Sequence, residues 1–367
     1  MYQPLVTVNL QLLTENARIE RQQLAEAGVE TVGVNKVFDG CTETARALMD
    51  AGIEIIAESR TYNLAKIRPL GCTTCLLRSP CPSEVDDVVR YADVSLNSEP
   101  EVIHALAAAA ARQGVTHGIL LMVDMGDLRE GIWYEDEAQI VDTVRLILNQ
   151  PNLSLYGLGT NFSCYGAVIP TVRNETAFLD LAHRVEQRLG ITIRRLSAGN
   201  GTSYNLIDEG RWPKGLNQLR IGGVHQFGYD YVNLHYFNRF HHSAKPEARA
   251  CSDLFHLRAE VIEASAKPTV PVGEQSVDAF MQVKHFVDHG TRRRVLLAWG
   301  RQDVPADCCT PVDDAMQILG QTSDHTLVDV EDCSRAFHPG DTIEFELDYT
   351  ALLMAFQTSG VRREFIH

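Results

Sequence analysis

The stretch Glu30-Thr31-Val32-Gly33-Val34-Asn35-Lys36 decides the fold. A short run of apolar β-formers ends on two polar residues, and it follows a segment in which Leu10, Leu13, Ala17 and Leu24 fall on one helical face. The same unit recurs along the chain. Apolar runs at residues 54–59, 73–78, 94–97, 118–124, 154–161, 194–199 and 218–223 alternate with segments of helical period. One helix is expected to open at Ser98, with Glu101 in capping-box spacing, and another over 171–190 to stop at Gly190. Strand then helix, eight times over, is the count of a (β/α)8 barrel, with a doubly wound open sheet as its competitor.

Beyond residue 240 the texture changes. Residues 238–247 read as a connector, and strand-like runs follow at 257–263, 294–299, 326–330 and 342–347 between Gly, Pro and Asp turns. The expected fold class is therefore α/β, a (β/α)8 TIM-type barrel over residues 1–240 followed by a C-terminal all-β domain over 241–367.

Composition bounds the function without naming it. The 367 residues carry 33 Lys plus Arg against 48 Asp plus Glu, a net charge of −15. That balance argues against a nucleic-acid partner or an anionic membrane surface, both of which need clustered positive charge. The run Arg292-Arg293-Arg294 is expected to be a solvated turn. No apolar run reaches the roughly 18 residues of a membrane span, and Met1-Tyr2-Gln3-Pro4 lacks the basic start of a signal peptide. Nine cysteines, an odd count, read as reduced thiols, so a cytoplasmic location is expected. Cys72 and Cys75 have CxxC spacing without a second pair and are expected to be core thiols. His285, Asp288 and His289 read as a polar turn, and no metal is expected. A disulfide between Cys308 and Cys309 is not expected.

Barrel enzymes carry their chemistry at the C-terminal strand ends. Those ends read Lys36, Ser59-Arg60, Arg78, Asn97, Asp124, Asn161, 197–201 and Arg220. A partly desolvated lysine at a barrel mouth offers its amine for an imine, although a lone lysine more often snorkels to water. Ser197-Ala198-Gly199-Asn200-Gly201-Thr202-Ser203 after the seventh strand and Ile221-Gly222-Gly223 after the eighth can cradle a phosphate; the competing reading is two tight turns. Arg220 lies between them. Lysine, phosphate cradle and arginine together describe pyridoxal 5'-phosphate, with the arginine at the pyridine nitrogen. An arginine keeps its proton, leaves that nitrogen unprotonated, and favours removal and return of the α-proton over transamination.

These residues resemble the fold-type III pyridoxal-phosphate enzymes of the alanine racemase family, and within it the ornithine racemase branch. The matching stretches in the barrel are Val34-Asn35-Lys36-Val37, Arg78-Ser79-Pro80, residues 91–98, residues 121–131, residues 159–166 and Asn217-Gln218-Leu219-Arg220-Ile221-Gly222. In the β domain they are Gly300-Arg301-Gln302-Asp303-Val304 and residues 318–325. The resemblance implies that Lys36 forms the imine and serves as one catalytic base. It implies cofactor contacts from Asn161, Asn200, Gly201, Thr202, Ser203, Arg220, Ile221 and Gly222, and substrate contacts from Arg129 and Ser323. Asn161 stands where alanine racemases carry a histidine, and Met122 where many carry a lysine that supports the arginine. Arg301 occupies the place of the family's second base, a tyrosine that the partner subunit contributes. An arginine is a poor base, so Tyr165 and Asp324 are the candidates for that role, with His325 and Cys309 behind them. The resemblance also implies a homodimer. The activity expected is racemisation of an amino acid, a basic one such as ornithine. The alternatives are a non-catalytic pyridoxal-phosphate carrier and a lyase or aldolase acting on D-amino acids.

Overall fold

The structure is a computed structural model that describes residues 4–245 and 250–367. Met1-Tyr2-Gln3 and the end of the expected connector lie outside the described residues. The chain starts with β1 (Leu5–Asn9) and helix Leu10–Glu26. Then come β2 (Glu30–Val34), β3 (Ile55–Glu58), β4 (Thr73–Leu76), β5 (Val94–Asn97) and β6 (His117–Asp124). A two-residue β7 (Ile132–Trp133) pairs beside β6, and β8 (Leu153–Thr160), β9 (Leu196–Ala198) and β10 (Gln218–Ile221) complete the series.

Parallel pairing runs β5-β4-β3-β2-β10-β9-β8-β6, and β5 pairs with β6 to close the ring. These are the eight strands expected from the sequence. They read clearly because a parallel barrel buries both faces of each strand, so each becomes a continuous apolar run; all eight residues of β6 are buried. Val32, Ile55, Ala57, Val94, Leu96, Leu120 and Met122 form one cluster. A second, larger one packs strand residues against the helices around them. The helix Val172–Leu189 has Thr171 as a capping box with Asn174 and ends at Gly190 in the left-handed region. The Ser98 cap does not form. Helix Pro100–Gln113 starts one residue later, after Glu99, with Pro100 in its first turn where a missing N–H costs nothing.

Two units divide the chain, one of them Leu10–Phe240. The other holds the chain from His241 onward together with β1, which corrects the expectation that the barrel begins at residue 1. The reason is pairing: β1 runs antiparallel to β13 (Ser252–Pro268). The rest of this unit is β14 (Thr291–Leu297), β15 (Cys309–Pro311), β16 (Gln317–Gln321), β17 (Thr326–Asp329), β18 (Thr342–Leu347) and β19 (Arg362–Ile366), with β11 (Tyr229–Asp230) and β12 (His235–Tyr236) left as a hairpin of the barrel unit. The order is β15-β18-β13-β14-β17-β16, with β19 parallel to β1.

The unit is not purely β. Helix Tyr349–Gln357, capped by Asp348, follows β18. The arginine run is not a turn either; it lies in β14, where Arg292 pairs with Asp329 and Asp332 and Arg293 with Glu331. Trp299 is wholly buried, its indole N–H donating to the Val304 carbonyl at 2.8 Å and its ring meeting Phe345 edge-on.

Candidate active site

Lys36 is the first residue of a 3-10 turn, Lys36–Phe38, that leaves the end of β2, and it is half-buried. Arg220, in the neighbouring β10, is almost wholly buried. Its Nη1 donates to Ser197 O at 3.2 Å and Ser197 Oγ at 2.5 Å, and its Nη2 to Thr160 O at 2.6 Å. Three strands thus fix the plane of the guanidinium. Burial brings its pKa down to about 10, so it is still a cation at neutral pH.

The loops after β8 and β9 are tied together by Asn200. Its Nδ2 donates to Phe162 O at 2.7 Å and Asn161 Oδ1 at 3.3 Å, while its Oδ1 accepts from Thr202 N and Oγ1 at 2.9 and 2.7 Å. Asn200 therefore caps the turn Gly201–Ser203. At Gly222 an added Cβ would lie 3.2 Å from Val34 O and from Gln226 Nε2, and at Gly223 it would meet the Tyr231 ring at 3.0 Å. Glycine at these two positions lets the turn pack closely on Val34, Gln226 and Tyr231. Sequence reading did not single out Tyr231, which stands beside this turn.

Ser203 departs from its expected role. Its hydroxyl points into the wall and donates to Glu175 Oε1 at 2.9 Å, and the side chain is wholly buried. Gly199, at φ +98°, makes room for it, since a Cβ there would sit 2.7 Å from Ser203 Oγ. Burial pushes Glu175 up to about 8 against the bond from Ser203 and the Arg220 charge, so the carboxyl is neutral at pH 7. Glu175 Oε2 and, at the end of β8, Thr160 Oγ1 are buried without a partner.

The Asp124–Gly131 segment is knit to residues 163–168. Asp127 is buried and accepts the N–H groups of Cys164, Tyr165 and Val168. Arg129 is held by both oxygens of Glu130 and by Cys164 Sγ at 2.9 Å. Met122, in the lysine's place, is wholly buried, and Glu130 supplies the charge beside the arginine. The Tyr165 ring is 76 % exposed on the loop that Asp127 anchors. Two other strand-end candidates have local partners, although Arg78 Nε and Asn97 Oδ1 are buried without one. Arg78 pairs with Glu84 at 2.6 Å, and Asn97 donates to Ser95 O and Oγ.

In the β unit two loops meet. Arg301 N donates to Thr322 O and Gln302 N to Ser323 O, both at 3.0 Å, and a Cβ on Gly300 would sit 2.2 Å from Asp324 Cα. Ser323 is exposed with its carbonyl engaged. Asp324 is an exposed carboxyl 3.0 Å from His325 Nδ1. Arg301 stacks its guanidinium over Phe280, 5.0 Å from the ring centre. Cys309 is unsuited to proton transfer because burial holds its thiol protonated far into the alkaline range. All nine cysteines are free thiols. Among the described residues, no three His, Cys, Asp or Glu side chains group to hold a metal ion, and no helix is long and apolar enough to cross a membrane.

The barrel residues fit pyridoxal phosphate. A half-buried lysine, a cation fixed in the barrel and two glycine turns lie at adjoining strand ends. Such a cofactor supplies an electron sink that acidifies the α-proton of an amino acid.

Comparison with known proteins gives the setting. Residues 8–229 match the family described as alanine racemase, N-terminal domain. An ornithine racemase of Acetoanaerobium sticklandii is 33 % identical over 369 residues, covering 99 % of both chains. A lysine racemase of Thermotoga maritima is also 33 % identical, over 99 % of this chain and 98 % of its own. Among solved structures, alanine racemase from Streptomyces lavendulae superposes with a TM-score of 0.73 at 17 % identity, over 100 % of this chain and 98 % of that one. A D-threo-3-hydroxyaspartate dehydratase variant reaches 0.70 at 14 %, over 97 % and 90 %. At that identity the likeness concerns the fold.

Proposed function

Because the chain belongs to the alanine racemase family, we propose that it is a pyridoxal-phosphate-dependent racemase that interconverts the L and D forms of a basic amino acid such as ornithine. The observation that carries this reading is Arg220, a buried permanent donor held by carbonyl and hydroxyl oxygens so that its plane is set before any ligand arrives. In this reading Lys36 Nζ holds the cofactor and moves the proton on one side of the substrate α-carbon. Arg220 would bond the pyridine nitrogen, and Asn161 would contact the ring. The turn Asn200–Ser203 with Ile221 and Gly222 holds the phosphate, Ser203 through its main chain. Arg129, oriented by Glu130, receives the substrate carboxylate.

Racemisation needs a second proton carrier on the opposite side of the α-carbon. Asp324 and Tyr165 are the two candidates; Asp324 is favoured because its loop packs on the one that carries Arg301, and Ser323 is taken as a substrate contact. The basic substrate is supported by the two curated relatives, named for ornithine and lysine. A homodimer acting in the cytoplasm completes the reading. Their match spans the β unit as well as the barrel, which tells against a barrel-only cofactor carrier.

The test is incubation of the purified protein with single L- and D-amino acids in D2O, following α-deuteration and chirality. Deuteration with inversion of ornithine or lysine is expected. Cofactor absorbance with no exchange on any of a broad panel would remove the racemase reading.

A further inference from the structure

Glu58 closes β3 and is wholly buried, and four N–H donors converge on its carboxyl group. Gly40 N, at 2.9 Å, and Asn35 Nδ2, at 3.4 Å, reach Oε1; Ser59 N, at 3.3 Å, and Asn63 Nδ2, at 3.5 Å, reach Oε2. All four are donors. The pocket therefore matches the acceptor-only inventory of an ionised carboxylate, and the four partners seen among the described residues offer no acceptor for a carboxyl proton.

Two of the donors belong to the turn that carries Lys36. Asn35 precedes the lysine, and its side chain is further fixed by Thr44 Oγ1 donating to Oδ1 at 2.8 Å and by its own bond to Cys41 O at 3.1 Å. Gly40 ends the turn at φ +70°, and a Cβ there would strike Asn63 Cβ at 2.7 Å. Both ends of the lysine turn thus hang on one carboxylate. Burial opposes its charge and pushes it up to about 7, with the Asp39 charge adding to the rise. The charged groups around it are Asp39, on the turn, and Lys66, on helix Thr61–Ile67; Lys66 pairs with Asp39 at 3.4 Å and also bonds Asn63 Oδ1 at 2.9 Å.

We propose that ionised Glu58 is the residue that positions Lys36, holding the turn through Asn35 and Gly40, and that the turn loosens when Glu58 takes up a proton. Its catalytic meaning rests on Lys36 being the cofactor lysine.

Asp39-Gly40 is the single Asp-Gly pair in the sequence, so labelling Asp with 13C at the carbonyl and Gly with 15N marks one amide in the full chain. The expected result is that the Gly40 amide resonance shifts between pH 5.5 and 8.5 with a midpoint near 7. Borohydride-trappable cofactor on Lys36 should fall several-fold on the acid side of the same midpoint. In Glu58→Gln the side-chain NH2 faces two donors, so the Gly40 titration should vanish and trapping should drop about tenfold at every pH. Glu58→Asp should keep the titration with intermediate trapping. A Gly40 amide that stays flat in the wild type, or a Glu58→Gln protein that traps cofactor like the wild type, would overturn the proposal. A titrating Gly40 with no label on Lys36 at any pH would keep the hold on the turn and overturn its catalytic meaning.

Discussion

At the barrel mouth the candidate residues are fixed by side chains. Arg220 is clamped by Ser197 and Thr160, Asn200 bridges Asn161 and Phe162, and buried carboxyl groups, Glu58 and Glu175, sit behind the lysine and phosphate turns. In the β unit, Ser323 and Asp324 occupy an exposed loop set by main-chain bonds to Arg301 and Gln302 and by the absence of a side chain at Gly300. Side-chain clamps make the barrel end rigid in itself. The β loops are set in shape but leave their side chains open to solvent, which suits groups that meet a substrate from outside. In the proposed function, holding the cofactor falls to the first region and delivering a proton to the second, so the two should be separable by mutation.

The largest effect that tests this separation is expected from Gly300→Ala. A Cβ would press on Ser323 O at 2.1 Å and Asp324 Cα at 2.2 Å, both main-chain atoms, so the two loops must part. Displacement by about 1 Å is enough to cost about 10²-fold in turnover, while cofactor loading in the barrel should be unchanged. Equal loss of loading and turnover would break the separation.

Next is Glu175→Gln. The Glu175 carboxyl is raised from 4.5 to about 8 in the folded chain, so the folded state binds the proton more tightly than the unfolded one. The stability this gives is complete below about pH 4.5 and is lost as pH rises through 8. Gln cannot ionise and its amide still reaches Ser203. In urea melts its stability relative to the wild type should rise by about 4 kcal/mol between pH 5 and pH 8.5. The same pH slope in both proteins would place the buried ionisation elsewhere.

The smallest effects compare the two units by their helix caps. Thr171 Oγ1 accepts Asn174 N in the barrel, and Asp348 Oδ1 accepts Ala351 N in the β unit. Each Ala replacement should cost about 1 kcal/mol. If the units unfold separately, Thr171→Ala lowers one calorimetric transition and Asp348→Ala the other; a single shared transition would show that they unfold as one.

The fold was legible where burial makes the pattern simple. Eight parallel strands, buried on both faces, read as eight apolar runs, and their polar ends pointed to the mouth. β1, β15, β16 and β19 are short or mixed in pattern, and β1 pairs with residues far along the chain, Leu5 with Arg258 and Val8 with Phe255, a pairing that no local period encodes. Helix Tyr349–Gln357 was hidden because its residues are nearly all apolar, leaving no polar face to mark its period. Within the site, Lys36, Arg220 and the glycine turns were legible from residue type and place. Glu58, Glu175 and Asp127 were not, because an acidic residue on a strand end, in a first helical turn or in a loop reads as solvated. Their meaning lies in partners from elsewhere in the chain: Gly40 for Glu58, Ser203 for Glu175, Cys164 for Asp127. The inward turn of Ser203 likewise depends on Gly199 and Glu175 together.

In the proposed function the barrel mouth holds pyridoxal phosphate on Lys36. Borohydride reduction of the purified protein, followed by peptide mapping, tests it most directly. A phosphopyridoxyl group is expected on the peptide that contains Val34-Asn35-Lys36-Val37, and none in Lys36→Ala. A label on another lysine, or a Lys36→Ala protein that is labelled to the same extent, would contradict it.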